Sequence, residues 1–469
     1  MKLSHLKLTN FRCYQDLEID LHPQVTVLVA ENGQGKTTLL DAIRIALWPY
    51  VSSFDLARSA YADPANTIVI DDIHLALNNS KMARQLPCSI EVSGDYGEGD
   101  ESTWMRFRDS EAKKSQTKDD KSTRELKSWA KSQQKTVRDV EKYIDLPVFG
   151  YYGTGRLWKE KRLTKDKVNK TETINQAINT FAYRDCLDPA SSYRHFEDWF
   201  TLTYIMIREY QIEQLESGAS EITGPPDLMQ KLEVIRSTTN QLLSETGWSD
   251  LTYSERDNKS LVLFHKAHGA LKVSQLSDGI KNMVAMVADI AYRCCHLNPH
   301  LGHEAALKAE GIVLIDEVDM HLHPKWQQTV IQGLTTAFPN IQFIVTTHSP
   351  QVLSTVKAES IRLLKHTVDP QSGLSISEAI QPKAQCRGVA SSDLMADLMG
   401  VDPIPDVIEA GWLSSYKALI QQNRHDTDTG KELRALLEKH FGLAHQELLE
   451  CNRLIRIQEF KSKLPKQAS

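Results

Sequence analysis

The segment that most constrains this chain is Val25 to Thr37. VTVLVA, Val25 to Ala30, is a continuous run that reads as a strand buried on both faces. It passes straight into Glu31-Asn32-Gly33-Gln34-Gly35-Lys36-Thr37-Thr38, after which Leu39, Leu40, Ile43 and Leu47 recur at helical spacing. Strand, glycine loop, helix is the order of a phosphate-binding loop of the pattern G-x-x-x-x-G-K-[ST]. The glycines let backbone N–H groups turn inward around phosphates, and the helix adds its unpaired N–H groups and positive dipole end. In this reading Asn32, Gly33, Gly35, Lys36, Thr37 and Thr38 cradle a nucleotide, with Lys36 on the β- and γ-phosphates and the Thr37 hydroxyl on magnesium. Ala30 replaces the first glycine of the pattern, a change of one methyl group.

A second buried strand, Ile312 to Ile315, ends in Asp316-Glu317. An acidic pair after a strand is ordinarily a surface feature. In the same chain as a phosphate loop, the pair reads as a magnesium carboxylate, Asp316, followed by the base that orients and deprotonates the attacking water, Glu317. A third strand, Phe343 to Thr346, leads to His348, 31 residues after Glu317. Leu276-Ser277-Asp278-Gly279-Ile280-Lys281 opens a helix 39 residues before Asp316. Alone it is one more helix-capping turn. In this order, a serine hydroxyl and a glycine N–H at a helix start suit a γ-phosphate.

Composition excludes several alternatives. Apolar residues are 41% and charged residues 25% of 469, as in globular chains. The purely aliphatic runs are a few residues long, where a membrane span needs about 20. MKLSHLKLTNFRCYQ has no apolar core of a secretory signal. Seven scattered cysteines without a CxxC pair suggest neither a disulfide framework nor a zinc ribbon, so the cytoplasm is the expected compartment. A net charge of -6 argues against a whole-chain polyanion binder.

We divide the chain into an N-terminal lobe over 1–155 with a basic insertion near 109–142, a helical insertion over 156–260, a second lobe over 261–365, and a helical C-terminal region over 366–469 suited to partner docking or core packing. Within the first lobe, Leu17, Ile19 and Leu21 alternate as a strand does, and Ile68 to Val92 is strand-like. Residues 109–142 carry ten Lys and Arg against seven acids, a net of +3. Together with the basic run at 156–170, this suits either a solvated face or a nucleic acid.

LKLTNFRCYQDLEIDL, AENGQGKT, LSDGIK, IDEVDMHLHP and TTHSPQVL together resemble the RecF/SMC-like branch of the ABC ATPases. LPVFGYYGTGRLW and HLHPKWQ are further similar to the PtuA-like and OLD-like ATPases of bacterial anti-phage defence, including those of Septu and retron systems. The resemblance implies an α/β P-loop NTPase of ABC type: a mixed sheet, an additional antiparallel β region and a helical insertion. It also implies ATP and magnesium sandwiched head to tail in a homodimer. ATP on Lys36 and Asp316 of one copy would meet Ser277 and Gly279 of the other. Arg12 would help to hold nucleotide, Asp319 would begin the loop at the dimer seam, and His348 would sense the γ-phosphate. Implied partners are an HNH-type nuclease and, in retrons, a reverse transcriptase with its DNA–RNA element.

Three features depart from that pattern or compete with it. No glutamine lies between Tyr151 and Arg156, where the motif order places the Q-loop, and Arg156 suits a phosphate contact or a surface ion pair equally. Asp319, His321 and His323 have zinc-ligand chemistry, but the HLHP string fits a structural turn of the family, which is the reading we adopt. Asp426 and Asp428 form a DxD in a polar stretch between helices, not at the end of a buried strand, so we read no nuclease there. The functional expectation is an ATPase acting as sensor or regulator of a defence complex whose nuclease is a separate chain. A RecF-like repair ATPase acting directly on DNA is the alternative.

Overall fold

The computed structural model describes residues 1–57, 64–78, 81–97, 99–139, 143–157, 178–189, 194–219, 221–257, 259–368 and 375–463. The tryptophan of LPVFGYYGTGRLW and most of the basic run at 156–170 lie outside the described residues, as does the Arg156 side chain. The chain divides into two compact units, Met1–Leu394 and Met395–Ser469.

The first unit is built on a six-stranded sheet whose order is fixed by apolar runs. β3 (Val25–Val29), β9 (Val148–Tyr152), β13 (Gly311–Ile315) and β14 (Ile341–Thr346) are buried at every position. Such strands need cover on both faces, which is the condition for parallel pairing. They pair parallel in the order β3-β14-β13-β9, and β15 (Ile361–Val368) joins β3 on its other side, also parallel. β16 (Ser375–Ile380) closes that edge antiparallel to β15. The C-terminal ends of β3, β14, β13 and β9 therefore share one edge, where ligands bind in open α/β sheets. α1 (Lys36–Val51) leaves that edge and is buried almost all round, a core helix rather than a surface one.

The antiparallel region is a second sheet in the order β2-β1-β6-β7-β8, with β1 (Lys2–Phe11), β2 (Tyr14–Asp20), β6 (Cys88–Asp95), β7 (Ser102–Arg108) and the short β8 (Lys118–Asp119). A separate hairpin joins β4 (Leu75–Asn78) and β5 (Lys81–Arg84). The side chain of Gln342, fully buried on β14, fastens the two large sheets: its Oε1 accepts from Leu3 N at 2.8 Å and its Nε2 donates to Leu3 O at 2.7 Å.

Several expectations need correction. Ile68 to Ile73 is not a strand. Ile70–Asp72 is a 3-10 turn, because the Asp72 carboxylate turns back to accept from Val69 N at 2.8 Å. The basic stretch near 109–142 is not merely an insertion: β8 pairs with β7, and α2 (Lys121–Val137) buries Thr123, Leu126 and Ala130. The span 156–260 is not wholly helical. After α3 (Arg194–Glu216) and α4 (Pro226–Leu243) comes an antiparallel meander of β10 (Trp248–Ser254), β11 (Ser260–His265) and β12 (Gly269–Lys272). The helical C-terminal stretch starts with α7 (Ser391–Met399), not at 366, because β15 and β16 still belong to the sheet. α5 (Asp278–Leu297) and α6 (Val330–Ala337) complete the helices needed here.

The second unit has its own small core: Tyr416, Ile420, Leu437, Leu448 and Cys451, contributed by α8 (Ile408–Gln421), α9 (Asp428–Phe441) and α10 (Gln446–Lys463). Asp426 and Asp428 flank Thr427, which caps α9 by accepting from Gly430 N at 3.3 Å. Among the described residues, no helix is long and apolar enough to cross a membrane.

Candidate functional site

The phosphate loop is shaped by backbone and then braced from below. Gly33 and Gly35 have φ of +81° and +83°, where side chains are strained. A Cβ on Gly35 would fall 2.5 Å from Tyr14 Oη and 2.6 Å from Cys13 Sγ. Tyr14 Oη donates to the Gln34 carbonyl at 2.8 Å, and His366 Nε2 approaches the same oxygen at 3.2 Å. The two rings stack with centroids 5.2 Å apart, and Ser377 Oγ holds His366 Nδ1 at 2.8 Å. This brace from β2, β15 and β16 was not legible beforehand, since nothing in the local pattern joins positions 14, 34 and 366.

Lys36 is buried, and its ammonium donates to the carbonyls of Ala30 at 2.8 Å and Glu31 at 3.1 Å, lying across the mouth of the loop. Burial lowers its pKa from the ordinary lysine value, while Asp316 and Glu317 act to raise it. Thr37 Oγ1 donates to Asp316 Oδ2 at 2.8 Å, and Thr346 Oγ1 donates to Asp316 Oδ1 at 2.6 Å. Asp316 is thus held from β13 by hydroxyls of α1 and β14. Its own N–H donates to Tyr152 O on β9 at 2.8 Å. A hydroxyl and a carboxylate converging in this way are hard oxygen donors of the kind magnesium takes.

Glu317 sits at φ +50°, a strained conformation for a non-glycine residue, and Thr346 Oγ1 receives its N–H at 2.7 Å. Thr346 therefore fixes both acids and is a site residue that motif reading missed. His348 is half-buried on the loop after β14. Its pKa is lowered first by burial and then by Lys36, against the opposing charges of Asp319, Glu317 and Asp316. Lys36, Thr37, Asp316, Glu317 and His348 thus form one cluster. Thr38 is buried in the first turn of α1, and Asn32 and Gly33 are exposed at the loop tip.

Ser277 and Gly279 stand elsewhere. Ser277 occupies the N-cap position of α5 but makes no capping bond with its exposed hydroxyl. Gly279 is buried, and a Cβ there would lie 2.4 Å from the His321 carbonyl oxygen. Gly279 thus lies against the turn after Glu317, where Asn282 Nδ2 also donates to Met320 O at 3.4 Å. Arg12 is engaged by carboxylates: NH1 to Asp41 at 2.6 Å and Nε to Asp72 at 2.8 Å. Asp319 accepts from Thr347 Oγ1, and His323 caps the Pro324–Gln327 turn by accepting from Lys325 N at 3.3 Å. Among the described residues no group of three or more His, Cys, Asp or Glu is placed to hold a metal.

One buried network lies behind the site. Tyr152 Oη donates to Asp289 Oδ2 at 2.7 Å, and Arg293 Nε donates to the same oxygen at 2.8 Å. Arg293 NH1 also donates to the Ala182 carbonyl. The pair joins α5 to β9, whose last carbonyl receives the Asp316 N–H.

The model of an AAA-domain family matches residues 5–245. The chain belongs to that AAA-domain family. A second AAA-domain family, described as a putative AbiEii toxin of a type IV toxin–antitoxin system, matches residues 159–354 of this AAA-domain chain. The retron Vc95 probable ATPase of Vibrio cholerae is 25% identical, covering 94% of this chain and 88% of that relative. The retron Ec83 probable ATPase of Escherichia coli is 28% identical, covering 96% and 86%. The Septu protein PtuA of Bacillus mycoides is 29% identical over 38% of this chain and 24% of its own length. Among solved structures, the SMC head domain from Thermotoga maritima aligns with a TM-score of 0.41 at 15% identity, covering 82% of this chain and all of that one. The AAA-domain chain has an α/β P-loop NTPase fold, and its relatives include probable ATPases of retrons and a Septu protein.

Proposed function

We propose that this chain binds and hydrolyses ATP as the regulatory ATPase of an anti-phage defence complex, in which a separate nuclease does the damage. The observation that carries the reading is the convergence of Thr37 and Thr346 on the two oxygens of Asp316, with Lys36 across the loop mouth beside them. Lys36 and the loop N–H groups bind and orient the triphosphate. Thr37 and Asp316 are the residues that would hold magnesium, which when bound neutralises charge on the β- and γ-phosphates. Glu317 positions the attacking water and takes its proton, and His348, kept neutral by burial and Lys36, donates a hydrogen bond to the γ-phosphate. Phosphoryl transfer needs little beyond positioning and charge neutralisation, which this cluster supplies.

Ser277, exposed with its hydroxyl uncommitted to capping, acts on the nucleotide of a second copy in a head-to-tail homodimer. Gly279 sets the start of the same helix. Arg12, held by Asp41 and Asp72, orders the strand turn beside the loop. The names of the retron and Septu relatives support the defence role, and an HNH-type nuclease or a reverse transcriptase with its DNA–RNA product is the partner class that role implies.

The test is light scattering of the full chain with ATP. Glu317→Gln should accumulate a dimer with bound ATP, and adding Ser277→Ala should return it to monomer. A Glu317→Gln chain that stays monomeric at millimolar ATP while binding it would remove the sandwich. Mass spectrometry of co-purifying chains then asks for a nuclease; replication proteins in its place would favour direct DNA repair.

A further inference from the structure

α2 carries a charge pattern that neither the fold nor the nucleotide site requires. Lys121, Arg124, Lys127, Lys131, Lys135 and Arg138 follow one another at spacings of three and four residues, against a single acid, Glu125, between 121 and 138. At 100° per residue they fall within an arc of about 120° of the helix surface. They form a ribbon about 25 Å long at 1.5 Å per residue. The neighbouring arc, Thr123, Leu126 and Ala130, is buried, with the Trp129 ring packed 5.3 Å from Tyr50 of α1. The helix is therefore fixed to the protein by one side while its cations project from another.

The helix dipole favours Lys135 and Arg138 at the C-terminal end of α2 but does not explain the cations of its first turn. The first turn of a helix favours acids, and Lys or Arg there opposes the dipole. Asp120 caps α2 by accepting from Thr123 N at 2.7 Å, yet the first turn holds Lys121 and Arg124 and no acid. A local rule broken without a local gain is the signature of a site with another purpose.

Three of the six are already paired: Lys121 with Glu125 at 3.6 Å, Lys127 with Asp119, and Arg138 with Asp55 at 2.7 Å. Arg124, Lys131 and Lys135 are exposed and, among the described residues, have no carboxylate within ion-pair distance. Lys127 and Lys131 also line a cleft of about 400 Å³ with Ser52, Ser53, Phe54 and Asp55 at the end of α1. In a chain of net charge -6, this is a local cationic track with an adjoining recess.

We propose that the α2 ribbon binds the phosphate backbone of a nucleic acid. Regularly spaced exposed cations match a regularly charged polymer, and each phosphate they neutralise releases counterions. The claim goes beyond the ATPase reading and stands without it, since binding is measured in the absence of nucleotide.

The experiment is fluorescence anisotropy of the full chain with a labelled 30-nucleotide single strand and a 30-base-pair duplex, across a salt series. The variant Arg124→Gln/Lys131→Gln/Lys135→Gln should weaken binding at least tenfold at 50 mM salt. On the duplex it should lower the log–log salt slope by about 2.7, at 0.9 per phosphate, and on the single strand by about 2.1, at 0.7. The larger loss shows which form is bound. A control removing three cations of the second unit, Lys439→Gln/Arg453→Gln/Arg456→Gln, should leave affinity near wild type. The proposal is overturned if the wild type binds neither probe, if the control loses as much as the α2 variant, or if poly-glutamate competes as well as DNA at equal charge. Unchanged ATPase activity of the α2 variant without DNA separates this outcome from failure of the nucleotide site.

Discussion

Thr37 and Asp316 are 279 positions apart in sequence and joined by a 2.8 Å hydrogen bond from hydroxyl to carboxylate. The strand order makes that bond: β3 and β13 both flank β14, so the loop after one faces the acid after the other. Asp316→Asn keeps the shape but removes the charge that a divalent ion requires. Calorimetry should find ATP binding that no longer strengthens when magnesium is added. Equal magnesium dependence in variant and wild type would take Asp316 out of the metal site.

Lys36→Ala should abolish measurable nucleotide binding, because the ammonium lies across the mouth of the loop on two carbonyls. Glu317→Gln should keep binding and lose turnover by about 100- to 10,000-fold, the range of a lost general base. Phosphate release by Glu317→Gln at the wild-type rate would take the base role from this residue.

His348 gives a pH dependence with a definite sign. In the unfolded chain it titrates near 6.5, and in the folded chain lower, through burial and Lys36. Below 6.5 the unfolded state therefore binds more protons. The contribution to stability is complete above 6.5 and drains away as pH falls through the folded value. His348→Gln should flatten the fall in melting temperature on the acid side of pH 6.5. A variant that melts with the same acid slope as wild type would show that other groups set it.

Asp289 and Arg293 are both buried to within 2% of complete, so removing one leaves the other unpaired. Asp289→Ala should cost about 3–5 kcal/mol in urea unfolding of the first unit. Tyr152→Phe, which deletes one hydrogen bond to the same carboxylate, should cost about 1–3 kcal/mol. A smaller cost for Asp289→Ala than for Tyr152→Phe would contradict the network as described.

Gly279→Ala tests packing at the start of α5. The added carbon would need to displace the His321 carbonyl from 2.4 Å, an overpacking of about 1–3 kcal/mol. Thermal unfolding should move down accordingly, and ATP turnover should fall with it. Unaltered melting and turnover would mean that the turn yields freely.

What the sequence made legible were the parts whose signal is local. VTVLV and GIVLI announce buried strands by composition, and GQGKT announces the loop by its glycines and lysine. The parts that escaped depend on partners far along the chain. Thr346 looks like the polar end of a strand until β13 and β14 pair and set its hydroxyl between Asp316 and Glu317. His366 falls at the start of what reads as the helical C-terminal region until β15 lies beside β3. The turn at Ile70–Asp72 reads as strand because Ile68 and Ile70 alternate, while an aspartate that folds back leaves no periodic trace. Within the meander, β10 is masked by the helical text before it.

The close approach of Gly279 to the His321 carbonyl has a mechanical corollary. With no slack between them, and with α5 facing a second copy as proposed, the start of that helix and the acidic strand end would travel as a single lever. Each half of an assembled pair would then advertise outward whatever it has just sensed within.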